Sequence, residues 1–145
     1  KENYFLDDGA YLIAKLLIAD AQLSTEGKRL GDLIATLGQP AETIEYRFTI
    51  IEEPIFEVGN AIIKDFAAFI AATEDMALIA NHLEGVRVNL SGQYGEGWFI
   101  LRLSLHEPLL VWTIESDAVG KLPLIAQTVL PFFKGRPELD TGHLH

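Results

Sequence analysis

The spacing of apolar residues changes several times along the chain, and the first segments have the spacing of helices. The first helix carries apolar residues at Leu12, Ile13, Leu16, Leu17 and Ala21, and its cap is Asp7 or Asp8. A second, short helix, capped by Ser24 or Thr25, is predicted to bury Leu30, Leu33, Ile34 and Leu37. Gly38 and Pro40 end it. Residues 1–40 are therefore expected to be the helical tail of a preceding domain, together with a linker.

After Pro40 the spacing becomes that of a half-buried strand, with apolar residues at Ile44, Tyr46, Phe48 and Ile50. A helix follows, with apolar residues at Val58, Ile62, Phe66, Phe69 and Ile70. Three more strands are predicted at 86–90, 98–103 and 109–116, and then a helix at 122–133 whose end Pro131 disrupts. This order predicts an α+β domain over residues 41–134, a four-stranded antiparallel sheet with two helices on one face. Residues 135–145 are expected to be a flexible tail.

Composition excludes several classes of function. The formal net charge of −10 over 145 residues leaves no basic surface for nucleic acid or for an anionic membrane. Lys15 and Asp20 interrupt the most apolar early segment, so no transmembrane span is expected. The absence of cysteine and the scattered spacing of the 4 histidines argue against disulfides and against a metal site. A cytoplasmic protein is the expectation.

The richest polar chemistry lies in the turn Arg102-Leu103-Ser104-Leu105-His106-Glu107-Pro108, between two apolar runs. Arg102 can bind two phosphate oxygens, the Ser104 hydroxyl can donate a third bond, and exposed backbone N–H groups can complete an anion site. These groups suit a phosphate. The alternative is a solvated hairpin turn without a ligand. For His106 and Glu107, acid/base chemistry competes with a simpler role in which Glu107 caps the loop or pairs with Arg102.

Four ordered segments resemble the α-D-phosphohexomutases, the phosphoglucomutase and phosphomannomutase family. They are the turn itself, the strand Gly97-Trp98-Phe99-Ile100-Leu101 before it with Thr113-Ile114-Glu115-Ser116 after it, Glu84-Gly85-Val86-Arg87, and Asp7-Asp8-Gly9-Ala10-Tyr11. The family's turn has Arg-Pro-Ser, then Gly or Asn, then Thr-Glu-Pro. Here Leu103 replaces the proline, Leu105 the glycine or asparagine, and His106 the threonine, while Val111 replaces an arginine often found there.

The resemblance implies a C-terminal fragment of a phosphohexomutase, comprising the end of its third domain and its fourth, TBP-like domain. The intact enzyme is an isomerase that transfers phosphate between positions 1 and 6 of a hexose, with Mg and a hexose 1,6-bisphosphate activator whose sites lie outside this fragment. This domain would hold the non-reacting phosphate of the phosphorylated hexose. Arg102 would supply charge, Ser104 a hydroxyl, and Leu105 and His106 backbone N–H groups.

The fragment alone is expected to be inactive, to bind no cofactor, and to have as its partners the phosphorylated hexose and the preceding domains of the same chain. Two alternatives stay open. The altered turn also fits a non-catalytic phosphosugar-binding paralogue, and the sheet also fits a protein interaction module. The resemblance does not indicate which hexose phosphate is bound.

Overall fold

The computed structural model describes residues 9–80 and 83–142. The chain divides into two compact units, one up to Gly38 and one from Gln39 onward. The predicted caps Asp7 and Asp8 lie outside the described residues. Over those residues, no helix is both long and apolar enough to cross a membrane.

The first unit contains helix α1, Gly9–Thr25, and a short 3-10 helix, Leu30–Leu33. The predicted second helix is therefore wrong in length, and so is its cap, since Ser24 and Thr25 lie in the last turn of α1. The Ser24 hydroxyl donates to the Asp20 carbonyl one turn earlier, at 2.7 Å, a local bond typical of serine inside a helix and not of a cap residue. The apolar residues predicted to be buried are instead exposed at Leu33, Ile34 and Leu37.

The second unit is built on one antiparallel sheet of six strands. Its elements are β1 Glu42–Ile50, α2 Ile55–Ala71, β2 Met76–Leu78, β3 Val86–Leu90, β4 Gly97–Leu103, β5 Leu109–Ser116, α3 Leu122–Lys134 and β6 Leu139–Asp140. The strand order is β2-β3-β4-β5-β1-β6. The predicted four strands form the centre, and a short strand is added at each edge.

Two predictions at the end of the chain need correction. Helix α3 continues through Pro131 to Lys134, so the loss of the Pro131 N–H, which would bond to the carbonyl four residues earlier, does not end the helix there. Residues 135–145 are not wholly a tail, since Leu139 and Asp140 pair with Ile50 and Thr49 of β1. Leu139 is 5% exposed and belongs to the core.

One face of the sheet forms the core together with α2 and α3. Alternate strand residues contribute Phe48, Val88, Phe99, Leu101, Leu110, Trp112 and Ile114, and the helices contribute Ile62, Phe66, Ile70, Ile125, Val129 and Phe133. The rings of Phe48 on β1 and Phe133 on α3 stack at 4.1 Å between centroids, and Phe66 on α2 packs against Phe99 on β4 at 6.0 Å. Such aromatic contacts fix the distance between the helices and the sheet.

The opposite face of the sheet carries three arginines, and we call it the arginine face: Arg47 on β1, Arg87 on β3 and Arg102 on β4. Ile100 and Val111 lie on this face, outside the core cluster, yet they are 9% and 4% exposed. Each has an arginine as its cross-strand partner, and the aliphatic stems of arginine cover apolar neighbours. The Arg87 guanidinium stacks on Trp98, 4.1 Å from the ring centroid.

Candidate functional site

The β4–β5 hairpin places the predicted site residues at one end of the arginine face. Arg102 belongs to strand β4, and the turn begins at Ser104. The Ser104 N–H donates to the Leu109 carbonyl at 2.8 Å, which extends the ladder beyond the strands. Because strand side chains alternate and Leu103 packs against the core, Arg102 and Ser104 project toward the same side.

The Ser104 hydroxyl organises the turn. Its oxygen accepts from the backbone N–H of His106 at 3.4 Å and from that of Glu107 at 3.3 Å, the local pattern by which serine stabilises turns. The hydroxyl proton remains available to a ligand. The Leu105 N–H has no partner among the described residues. The Leu105 N–H is therefore directly available to a ligand. The His106 N–H becomes available when its long hydrogen bond to Ser104 Oγ is broken.

Leu105 does not take up the left-handed backbone conformation. Among the described non-glycine residues, only Asp75 has a positive φ, at 64°. Leu105 at the position of the family's glycine or asparagine thus brings no left-handed backbone strain into the turn. Its side chain is 80% exposed.

Arg102 is exposed and makes no ion pair or hydrogen bond with any described side chain. Its cross-strand partner on β5 is Val111, whose other partner is Arg47 on β1. Two arginines therefore flank one apolar residue across three neighbouring strands. Arg102 was predicted from its motif and Arg47 was not, because only the strand register brings the two together.

Arg47 is engaged by a carboxylate on its own strand. Its Nε donates to Glu45 Oε1 at 2.8 Å, and Thr113 Oγ1 donates to Glu45 Oε2 at 3.2 Å. The hydrogen bond from Arg47 is the main cause that lowers the pKa of Glu45, with smaller contributions from Thr113 and from the charge of Arg102. The same hydrogen bond raises the pKa of Arg47, and the Glu107 charge adds to this.

The predicted pairing of Glu107 with Arg102 is absent from the described ion pairs, and the Glu107 charge acts on Arg47 instead. His106 is exposed, and its ring has no hydrogen-bond partner among the described residues. The described residues therefore show no contact that would orient the His106 ring as a general base.

The Glu84-Gly85-Val86-Arg87 segment meets the hairpin directly. Gly85 has φ of +111°, and a Cβ there would collide with the Leu101 carbonyl and lie 3.0 Å from Arg102 Cα. Glycine is therefore required for this close approach. Two segments that resembled the same family in sequence are neighbours in space.

Two shallow cavities lie beside the turn. One of about 460 Å³ includes Gly85, Arg102 and Leu105 in its wall, and one of about 440 Å³ includes His106 and Glu107. Phe56, which is 57% exposed, and Leu105 line both. The surroundings of the turn are consequently more apolar than its polar sequence indicates.

The resemblance implies a magnesium ion whose site lies elsewhere in the intact enzyme. Residues 9–80 and 83–142 contain no group of three or more histidine, cysteine, aspartate or glutamate side chains that could hold a metal ion.

The chain is similar to known proteins of one family. It is 32% identical over 126 residues to a phosphomannomutase/phosphoglucomutase of Pseudomonas syringae pv. tomato, an alignment that covers 86% of this chain and 24% of that protein. A crystal structure of a phosphoglucomutase/phosphomannomutase family protein from Burkholderia thailandensis has the same fold, with a TM-score of 0.57 and 18% identity, over 92% of this chain and 25% of that one. No family model matches.

The chain thus spans about a quarter of the length of each of these proteins. The alignment covers most of the present sequence and the solved structure has the fold described above. The resemblance found in the sequence motifs is confirmed, and the chain belongs to the phosphomannomutase/phosphoglucomutase family.

Proposed function

We propose that this chain is the phosphate-holding domain of a phosphohexomutase, and that the β4–β5 hairpin binds the non-reacting phosphate of a phosphorylated hexose. The observation that carries the proposal is that the Arg102 guanidinium, which has no ion-pair or hydrogen-bond partner among the described residues, lies on the same side of the hairpin as the Ser104 hydroxyl. A guanidinium and a hydroxyl at one end of a rigid sheet are suited to a phosphate dianion.

Each residue has a defined role in this proposal. Arg102 supplies the charge, the Ser104 hydroxyl donates one hydrogen bond, and the Leu105 N–H donates another. The His106 N–H joins when its 3.4 Å bond to Ser104 Oγ is released. Binding energy from this remote phosphate would hold the sugar while the phosphoryl group is transferred elsewhere in the intact protein.

The chain alone is proposed to be inactive in the interconversion of hexose 1- and 6-phosphates. Its described residues include no metal-binding cluster, and the family's serine nucleophile has no counterpart among the matched segments. Magnesium and the bisphosphate activator belong to the intact protein in this proposal.

The test is a titration of the chain with glucose 6-phosphate, followed by the amide chemical shifts of Ser104, Leu105 and His106. One wall of a pocket leaves most of the ligand hydrated, so the expected Kd is about 1 mM or weaker. Arg102→Ala should abolish the shifts. Arg87→Ala is the matched control, because Arg87 lies on the same face but stacks on Trp98.

Unchanged shifts at saturating ligand, or equal losses in the two arginine variants, would refute the phosphate site. The hairpin would then be a turn stabilised by Ser104, and the interaction-module alternative would gain support. Binding by this chain within a full-length protein that lacks turnover would favour the non-catalytic paralogue.

A further inference from the structure

The Glu45 carboxylate lies above the strand that separates Arg47 from Arg102. Glu45 belongs to β1, and its Oε2 reaches across to Thr113 Oγ1 on β5 at 3.2 Å. Thr113 is in turn paired with Ile100 of β4. The carboxylate therefore leans from the strand of Arg47 toward the strand of Arg102.

The register places the two arginines in one row of the sheet. Arg47, Val111 and Arg102 are successive cross-strand partners, so the two arginine Cα atoms lie two strand spacings apart, about 10 Å. Val111 contributes no charge and no hydrogen-bonding group between them. Two long cationic side chains can converge over such a gap on a single anion.

We propose that Arg47 and Arg102 form one two-arginine site for a phosphate dianion, and that Glu45 is the internal anion that this ligand displaces. The inference rests on the proposed function and adds to it a second cation and a competing group. The two-arginine site differs from a single-arginine site because Arg47 also binds the ligand. The affinity for phosphate then depends on Glu45 as well, although the ligand does not contact Glu45.

The charges on the arginine face favour displacement of Glu45 from Arg47 by a phosphate dianion. Glu45 is exposed, and its 2.8 Å contact with Arg47 is of the kind that contributes little in water, so a dianion can compete for the guanidinium. The other ionisable groups facing the row are Glu107, Glu115, Asp140 and Arg87. Of these, the Glu107 charge contributes to the raised pKa of Arg47.

The experiment measures Kd for inorganic phosphate at pH 8 and constant ionic strength, from the amide shift of Leu105. Glu45→Gln removes the charge but keeps an oxygen for the hydrogen bonds from Arg47 and Thr113. It should tighten binding about threefold to fivefold, the size expected for an exposed charge pair. Arg47→Ala should weaken binding by a similar factor. Sulfate has a constant charge at this pH. Its affinities for Glu45→Gln, the wild type and Arg47→Ala should fall in the same order as those for phosphate.

Glu115→Gln is the matched control. It removes one negative charge from the same face, but Glu115 lies two residues beyond Thr113 and pairs with Trp98, farther along the strand from the arginine row. The affinity of the Glu115→Gln variant for phosphate should stay within about twofold of the wild-type value. A gain of affinity in Glu45→Gln alone cannot come from misfolding, since loss of structure weakens binding.

The outcomes separate this inference from the proposed function. Binding that is lost in Arg102→Ala, but unchanged in both Glu45→Gln and Arg47→Ala, would overturn the two-arginine site and leave the proposed function intact. Equal gains in Glu45→Gln and Glu115→Gln would overturn the specific role of Glu45. No Leu105 amide shift in the wild type together with a shift in Glu45→Gln would support the role of Glu45. No shift in either protein would overturn both the inference and the proposed function.

Discussion

At the scale of single residues, Gly85 determines how closely the Glu84-Gly85-Val86-Arg87 segment approaches β4. Its φ of +111° is unfavourable for any residue with a Cβ, and that atom would collide with the Leu101 carbonyl. We expect Gly85→Ala to lower the free energy of unfolding by about 2–4 kcal/mol, because backbone strain and overpacking add. Urea unfolding measures this change.

Gly120→Ala is the control for Gly85→Ala. Gly120 also has a positive φ, +82°, but nothing lies within 4 Å of the position of a Cβ. The decrease in the free energy of unfolding of Gly120→Ala should therefore reflect backbone strain alone, about 1 kcal/mol. Equal losses in the two variants would show that the contact with Leu101 is unimportant.

The pKa of Glu45 predicts a dependence of stability on pH. The hydrogen bond from Arg47 lowers this pKa below its ordinary value, so the folded state binds the proton less readily than the unfolded state. The stabilisation is complete above the unfolded pKa and is lost as pH falls through the lowered folded value. It is small, because the pair is exposed.

Glu45→Gln isolates this contribution from those of the other carboxylates. The difference in unfolding free energy between wild type and Glu45→Gln should favour the wild type at pH 7 and shrink toward zero as the pH falls below about 4. It should also shrink at 1 M salt, where charges are screened. A difference independent of both pH and salt would contradict an electrostatic role.

At the scale of elements, the longer strands were predicted from sequence and the shortest strands were missed. β1 was visible because its nine residues alternate between apolar and polar side chains, and β5 because its eight residues begin with an apolar run directly after the polar turn. β2 and β6 have three and two residues, too few to display any period. Likewise the 3-10 helix at Leu30–Leu33 was mistaken for a longer helix, since both have apolar residues three or four positions apart.

The short edge strand β6 should nevertheless matter for stability. Leu139 is 5% exposed and packs in the core, so Leu139→Ala should cost about 2–4 kcal/mol in the free energy of unfolding. Leu105→Ala serves as the control, since Leu105 is 80% exposed and its loss should stay within about 0.5 kcal/mol. A cost at Leu139 no larger than at Leu105 would restore the original prediction of a flexible tail.

At the scale of the whole molecule, the site was only partly predictable from sequence. The motifs located Arg102, Ser104 and the family, since these are local in the chain. The roles of Arg47 and Glu45 depend on the register of β1, β5 and β4, which pairs residues far apart in sequence. The engagement of the His106 and Glu107 N–H groups by Ser104 depends on the turn conformation, which the sequence motif does not specify.

The final prediction is that residues 39–142 fold autonomously. This unit contains all six strands and the whole described core. Its first strand is fixed at its start, because the Glu42 carboxylate accepts from the N–H of Gly120 at 2.8 Å and of Leu122 at 3.5 Å. A polypeptide of residues 39–142 should therefore unfold in one cooperative transition, with the same urea midpoint as the second unit of the whole chain.

Limited proteolysis provides an independent measurement of this boundary. The first cleavage should fall between Leu37 and Ala41, since the backbone from Glu42 onward is paired in the sheet. The β4–β5 hairpin should resist, because the Ser104 N–H bond to Leu109 and the two bonds to Ser104 Oγ hold its turn, and cleavage requires local unfolding. If the protease cut first between Leu105 and Pro108, the turn would be too mobile to preorganise a phosphate site, and weak binding would follow from that mobility.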